Sequence, residues 1–491
     1  MVNDTVVIVG GGPSGLVTAL LLARFGVPSL LIERRRQVSG LPKARGMHAR
    51  AMEIFRVLGL DGTFAAMALP LEPIARFQPD LTSAVERQFP TGGEALAEVS
   101  PCEGASVSQD IVEAVLRARV EAEPLIDSRW GASCTGVRIV GGRAEVDVEH
   151  PGSSSPDTVS ARFVVAADGS RSRIREWLGI ETDGEPDFEP QRSIHFRADL
   201  SRWVGPRPGA IYMLTASRAV LFWTHPDHRW TLTQQNQGDQ AQSALRHALG
   251  VPDLTVQLLA DEVWLPGAGC ARRLRCEPVF LVGDAAHRVT PAGATGMNMA
   301  IQDAHNLAWK LAFVITGNAG EALLDTYQAE RDPIGRANAA DSREAWKAFI
   351  VGGQPPPGRG MRETDMGHRY HSTAVIADAR PDPDHGNDVD YQPSAAPGRR
   401  APHLWIDDHT STLDLFGMQL AYLTTSKTNT ATVPPDVTAT AIDHPHFADS
   451  YGIPPTGAVL VRPDGHVAAR WQSAPDPEEL RRTVNIVLSR A

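Results

Sequence analysis

Cysteine is scarce in this chain. Cys102, Cys134, Cys270 and Cys276 are the four among 491 residues, and no two form a C-x-x-C pair or stand at metal-ligand spacing. A disulfide framework, a dithiol redox motif and a cysteine-based metal site are therefore excluded, no metal is expected, and the four thiols read as small apolar side chains in a reducing compartment. Positive charge is also short. The 47 Lys and Arg against 58 Asp and Glu leave a formal net charge of −11, which argues against nucleic acid and anionic membranes as partners. No apolar run reaches the ~18 residues of a membrane span, and Asn3-Asp4 stands where a secretion signal would carry basic residues. A cytoplasmic protein with small-molecule partners is expected.

What is present is enough for several cores. A chain of 491 residues, 42% apolar and 21% charged, has the composition of a soluble globular protein and the length of about three domains. Thr5 to Val9 is a β-branched run suited to a strand buried on both faces, and it ends in Gly10-x-Gly12-x-x-Gly15. Gly10 suits a tight turn and Gly12 a close approach to a pyrophosphate. Gly15 suits contact between the strand and a helix running from Ser14 to Phe25. A second apolar stretch, Ser29 to Ile32, ends in Glu33, eighteen residues after Gly15 and close to the ~20 of the acid that binds a ribose hydroxyl. Glycine-rich turns also occur in proteins that bind nothing; the strand, glycine, helix, strand and acid in series point to a dinucleotide, with Pro13 and Ser14 in the turn. Arg34, Arg35 and Arg36 follow as a solvated basic edge, from which one arginine can cover the adenosine end.

Two later stretches repeat the pattern of a buried strand ending in a small-residue turn. Arg162 to Ala167 delivers Asp168-Gly169 and a helix opening at Ser170 to Arg175; Pro278 to Val282 delivers Gly283-Asp284, then the turn Pro291-Ala-Gly293-Ala-Thr-Gly296 and a helix from about Met297 to Ile315. Helices are also expected from Met47 to before Gly59, from Ser108 to Arg119, and from Ala322 to Phe349 with a break or kink at Asp332-Pro333. Between about Pro186 and Arg275 the texture changes to aromatic and β-branched strands. Phe196, Met213, Trp223 and Gln234 are candidates for lining a pocket there, although alternation does not say which parity faces inward and core packing is the commoner role. His225 is a candidate base.

Residues 352–360 read as a loop and Asp378 to Gly398 as a solvated connector; its aspartates do not match a calcium loop. From about Pro397, strands at Ser411–Phe416 and Gln419–Thr424, a hairpin from Gly457 to Trp471 turning at Pro463-Asp-Gly465, and a helix from Pro477 to Arg490 capped by Asp476 make a small α/β unit.

The glycine fingerprint with Glu33, the Lys43-Ala-Arg45-Gly46 loop, the Asp168-Gly169 motif and the Gly283-Asp284 motif together resemble the single-component FAD-dependent aromatic monooxygenases. Within them, the chain is most similar to the bacterial polyketide hydroxylases of the p-hydroxybenzoate-hydroxylase fold. That resemblance spans nearly the whole chain. It implies an α/β fold with a Rossmann-like FAD-binding domain (1–185 and 276–377), an inserted β-sheet substrate domain (186–275), a linker (378–396) and a thioredoxin-like C-terminal domain (397–491) that, having no cysteine, serves packing or association. It implies Arg45 beside the flavin phosphate and ribityl region, Gln109 on the ribityl chain, and Asp168 and Gly169 affecting both FAD and the pyridine nucleotide. Asp284 falls on a ribityl hydroxyl. Pro291, Gly293, Gly296 and the Met297-Asn298 amides fall by the isoalloxazine, with Pro291 also toward substrate, and the helix N-terminus favours the anionic reduced ring. His287 belongs to the cofactor surroundings, with no second metal ligand nearby.

The activity implied is hydroxylation of a polycyclic aromatic by O₂ through a flavin hydroperoxide, with NADPH or NADH as reductant, in a monomer or homodimer. No single side chain is compelled as catalyst; Arg45 and His225 are the candidates. Baeyer–Villiger oxygenation of a ketone uses the same parts, and a flavin dehydrogenase or non-oxygenating flavoprotein is the reading from outside the class. A flavin halogenase is disfavoured because Trp264-Leu-Pro266 lacks the W-x-W-x-I-P run.

Overall fold

The computed structural model describes residues 6–91, 96–153, 155–184, 188–236, 238–350, 361–378, 391–425 and 433–490. The loop expected at 352–360, Asn3-Asp4, and most of the connector with its aspartates lie outside these.

Four valine and isoleucine residues form the strand Val6–Val9, every one buried. It is the centre of a six-stranded sheet in the order Arg275–Cys276, Val279–Leu281, Phe163–Ala166, Val6–Val9, Ser29–Glu33, Ile126–Trp130. The last five run parallel, which requires apolar side chains on both faces and helices to cover them. The helix Pro13–Arg24, with Pro13 in its first turn, packs on the helix Gly296–Ile315. Helices also occupy Ala49–Val57 and Gln109–Glu121, one to two residues from their expected limits. Pro333 stands inside an unbroken helix, Asp325–Ile350. Of the break or kink expected there, the break does not occur; in the turn before it the helix is tied down by the buried pairs of Glu330 with Lys310 and Arg331 with Asp303.

A seven-stranded sheet follows the order Gln257–Trp264, Gln191–Arg197, Arg229–Gln235, Ala219–His225, Gly209–Leu214, Glu72–Gln78, Arg87–Pro90. Its last two strands lie outside the 186–275 stretch expected to form this sheet. Arg87–Pro90 is a short, exposed edge strand, and Glu72–Gln78 beside it buries only Ala75 and Gln78, so neither carries clear apolar alternation. One face is closed by the helix Ala241–Leu249: Ile194, Phe196, Tyr212, Leu221, Trp230 and Leu232 form one apolar cluster with Ala244, Leu245 and Leu249.

The C-terminal unit has a sheet in the order Val437–Ala441, Leu420–Thr424, Ala458–Val461, Val467–Trp471 and a helix Pro477–Val487. Ser411–Phe416 is a 3-10 turn, Thr412–Leu415, and not the expected strand: Ser411 accepts from Leu413 N–H and Asp414 accepts from Ser411 N–H, a reciprocal cap that closes a turn. This unit is not separate in its packing. Tyr422, Leu460 and Val484 share one apolar cluster with Val7, Leu20 and Val164.

Candidate functional site

Parallel strands deliver their C-terminal ends to one edge, so Gly10, Glu33, Asp168 and Gly283 arrive together although up to 273 positions separate them in the chain. Contact is close. A Cβ at Gly10 would stand 2.2 Å from the Ala167 carbonyl oxygen, and one at Gly283, where φ is +59°, would meet Ser14 Oγ at 3.0 Å and Ala300 Cβ at 3.1 Å. The first and third glycine motifs thus touch. By contrast, a Cβ at Gly12 meets nothing within 4 Å, so the backbone there faces open space beside the first turn of the helix. Glu33 closes the turn from the other side, accepting from Gly11 N–H at 2.6 Å and Arg35 N–H at 2.8 Å; Arg34 between them is exposed.

Asp168 Oδ2 accepts from Ile174 N–H at 3.2 Å, while Oδ1 is buried with no hydrogen bond. Burial raises its carboxyl above the usual range. Gly169 follows at φ +85°. Asp284 lies in the 3-10 turn Gly283–Ala285. Its side chain is exposed yet surrounded by protein, so it faces into a cleft; desolvation raises its carboxyl, with His287 and Lys43 opposing. The turn is braced from behind. Gly283 N–H donates to Asp303 Oδ2 at 3.0 Å, and Asp303 meets His287 Nε2 at 2.8 Å and Arg331 Nε at 2.7 Å. Against the upward pull of burial, His287 and Arg331 hold the Asp303 carboxyl at about 2.

Pro291, Gly293 and Ala294 make an exposed turn before the helix at Gly296. Its first helical hydrogen bond is Met299 N–H to Thr295, which leaves the Gly296, Met297 and Asn298 amides without helical acceptors. The Asn298 side chain is spent on protein: Oδ1 accepts from His48 N–H at 2.8 Å, and Nδ2 donates to the Gly46 and Ala294 carbonyls at 3.3 and 3.0 Å. Gln109 pins the preceding loop: its backbone N–H donates to Ala44 O at 2.8 Å, its side-chain Oε1 accepts from Ala44 N–H at 3.2 Å, and its Nε2 donates to Glu113 at 2.7 Å. Arg45 emerges from that loop with its guanidinium 2.9 Å from the centroid of the Phe222 ring. Its Nη1 is buried without a partner, no described carboxylate pairs with it, and desolvation draws its pKa down to about 9. Two helix N-termini, a strand-end carboxylate and the unused hydrogen-bonding capacity of Asp168 Oδ1 and Arg45 Nη1 fit a flavin dinucleotide.

The strand-pairing register corrects most of the candidate pocket set. Phe196 is fully buried among the apolar residues facing the helix Ala241–Leu249. Trp223 and Gln234 share its parity, Trp223 pairing with Trp230 and Gln234 with Arg192. The opposite face, toward Arg45, carries Met213, Val220, Phe222, Thr224, His195 and Thr231. Of the four candidates only Met213 lies there. A cavity of about 250 Å³ opens between this face and the loop before Arg45, bordered by Pro42, Asp110, His195, Thr224, His225 and Arg229. His225 sits at its rim with Nδ1 2.6 Å from Asp227 Oδ1. His195 and Phe222 were missed. The signal that finds them is the run Ile194, Phe196, Trp230 and Leu232, whose bulk claims the covered face and leaves the alternate residues for the other.

A family model described as "FAD binding domain" matches residues 3–342, and one described as "Aromatic-ring hydroxylase, C-terminal" matches residues 394–491. The chain belongs to the FAD-dependent aromatic hydroxylases. This hydroxylase is 34% identical to a 4-methyl-5-nitrocatechol 5-monooxygenase of Burkholderia sp over 96% of its own length and 95% of the relative's. It is 33% identical to the tetracenomycin A2 monooxygenase-dioxygenase of Streptomyces glaucescens, covering 99% and 97%. Its fold matches a crystal structure of aklavinone-11 hydroxylase in a ternary complex with FAD and aklavinone at a TM-score of 0.88, with 29% identity and 99% of each chain covered. The hydroxylase is an FAD-dependent monooxygenase of α/β architecture, and none of its described helices is long and apolar enough to cross a membrane.

Proposed function

We propose that the chain uses NADPH or NADH, FAD and O₂ to hydroxylate a polycyclic aromatic substrate in the cytoplasm. The carrying observation is the meeting of the Gly10–Gly15 turn and the Gly283-Asp284 turn at one sheet edge, with one loop supplying both Pro42 to a cavity under the seven-stranded sheet and Lys43 to the field at Asp284. In this reading Gly10, Gly12, Pro13, Ser14 and Gly15 hold the diphosphate with backbone amides, and Glu33 and Arg34 hold the adenosine end. Arg45, Gln109, Asp168, Gly169 and Asp284 take the phosphate and ribityl region. Pro291, Gly293, Gly296, Met297 and Asn298 approach the ring through backbone. Bound FAD supplies acceptance of hydride from the nicotinamide and activation of O₂. The protein's part is to seat the aromatic ring against Phe222 and Met213, exclude water, and offset negative charge with the Arg45 guanidinium.

The relatives' names support a phenolic or polycyclic substrate, since one names a nitrocatechol and others name tetracenomycin A2 and aklavinone. The test is to purify the protein, record flavin absorbance, and follow NAD(P)H oxidation and product mass with a panel of polycyclic phenols. NAD(P)H oxidation yielding only peroxide across the panel defeats the reading. Asp284→Ala is expected to lower FAD occupancy at limiting cofactor by at least tenfold; full occupancy defeats that assignment.

A further inference from the structure

The cavity beneath the seven-stranded sheet is bordered by a buried histidine with a ring nitrogen to spare. His195 and Thr231 are direct cross-strand partners on the face toward Arg45, and His195 Nδ1 lies 2.9 Å from Thr231 Oγ1. The ring borders the cavity, is 6% exposed, and has no hydrogen-bond partner at Nε2 among the described residues. His225, the other histidine there, differs: it stands at the rim, partly open to water, with its Nδ1 on Asp227.

We infer that His195 Nε2 accepts the proton of a phenolic hydroxyl when a hydroxyarene occupies this cavity, and that Thr231 sets the ring for it. The inference rests on the monooxygenase reading above and names its substrate class: an aromatic bearing a hydroxyl on the ring to be oxygenated. With Nδ1–H donating to Thr231 Oγ, the lone pair of the neutral imidazole is on Nε2. The phenol O–H bond breaks and an Nε2–H bond forms, giving phenolate and imidazolium with no change in oxidation state; the proton later leaves to water through the rim. Phenolate is the form whose ring carbons are rich enough in electrons to take an electrophilic oxygen. The adjacent Arg45 guanidinium, which no carboxylate among the described residues pairs, offsets the new negative charge.

The surroundings agree on a neutral resting imidazole. Burial lowers the His195 pKa, and Arg45 from the loop adds to that, while Asp110 at the start of the helix Gln109–Glu121 and Asp261 on the neighbouring strand oppose it. Asp261 is already engaged by Arg192, at 2.7 Å, and Asp110 stands 3.8 Å from Arg229. His225 and Arg229, both bound to Asp227, are the remaining titratable groups at the cavity.

The test uses the FAD-loaded protein and 4-nitrophenol, whose phenolate absorbs in the visible. Bound to the wild type, the probe is expected to ionise at a pH about one unit below its value in water, a tenfold shift in the proton equilibrium. His195→Gln returns it to the free value, Thr231→Val falls between, and Thr231→Ser restores the wild-type titration, with flavin occupancy equal in all. A His195→Gln protein that titrates its bound probe like the wild type overturns the inference, as does failure of the probe to bind the wild type. A wild type without flavin absorbance overturns the monooxygenase reading together with this one, and is told apart from the other outcomes before any probe is added.

Discussion

A methyl group at position 15 would stand 2.0 Å from the Gly10 carbonyl oxygen, whereas one at position 12 would touch no protein atom. The two glycines of one fingerprint therefore do different work. Gly15→Ala is expected to push the helix off the strand and leave little soluble protein. Gly12→Ala is expected to keep the melting temperature of the flavin-free protein and to weaken FAD binding by tenfold or more, measured by quenching of flavin fluorescence. Equal FAD affinity in Gly12→Ala and wild type is the result against it. The contrast between a crowded and an open position was legible in the sequence because a turn between strand and helix is a local matter of spacing. Phe196, Trp223 and Gln234 were not legible in the same way: alternation defines two faces, and only the helix Ala241–Leu249 decides which one is sealed.

Elements were read well where their ends carry their own chemistry. Asp476 caps the last helix, accepting from Glu478 and Glu479 N–H at 2.9 and 2.8 Å, as the sequence predicted. Asp476→Ala is expected to cost about 1 kcal/mol, seen as a lower denaturation midpoint with unchanged slope, while Asp476→Asn keeps most of it. Where the chemistry was present but unrecognised, the element was mistaken. Ser411 and Asp414 cap one another, so an apolar stretch that could pass for a strand closes as a turn. The strands Glu72–Gln78 and Arg87–Pro90 were invisible for another reason: Glu72–Gln78 joins the sheet on Gly209–Leu214, more than a hundred residues away, and Arg87–Pro90 only folds back on it, so neither carries a local signal of that partnership.

Across the whole molecule, the C-terminal unit enters the flavin-binding part through a buried ionic knot that no local pattern announces. Glu330 takes Lys310 Nζ at 2.7 Å, Ser372 Oγ at 2.6 Å and Arg462 Nη1 and Nη2 at 2.5 and 2.8 Å; Arg462 also grips Asp464 at 2.5 Å, and Trp309 Nε1 donates to Asp464 at 3.2 Å. Arg462→Met leaves Asp464 without its arginine and Glu330 with Lys310 as its one remaining cation among those bonds, and is expected to destabilise by about 3–5 kcal/mol, read by denaturant melts. Acid acts on the same region. Burial first, and then Arg50, hold His305 at about 3; burial likewise holds His466 at about 4, with Asp464 working the other way. A histidine kept neutral in the fold binds its proton only once unfolded, so each contributes stability that is intact above the unfolded value of about 6.5 and drains away as pH falls toward 4. Melting temperature is therefore expected to fall between pH 6.5 and 4, and His466→Gln to flatten part of that slope; a level profile over this range counts against it. The strand order has a consequence for birth as well as for stability. Because Val279–Leu281 must slot beside Phe163–Ala166, a ribosome has to release more than half the chain before the nucleotide cradle can close, and the nascent amino-terminal half waits open, in need of shelter, until it does.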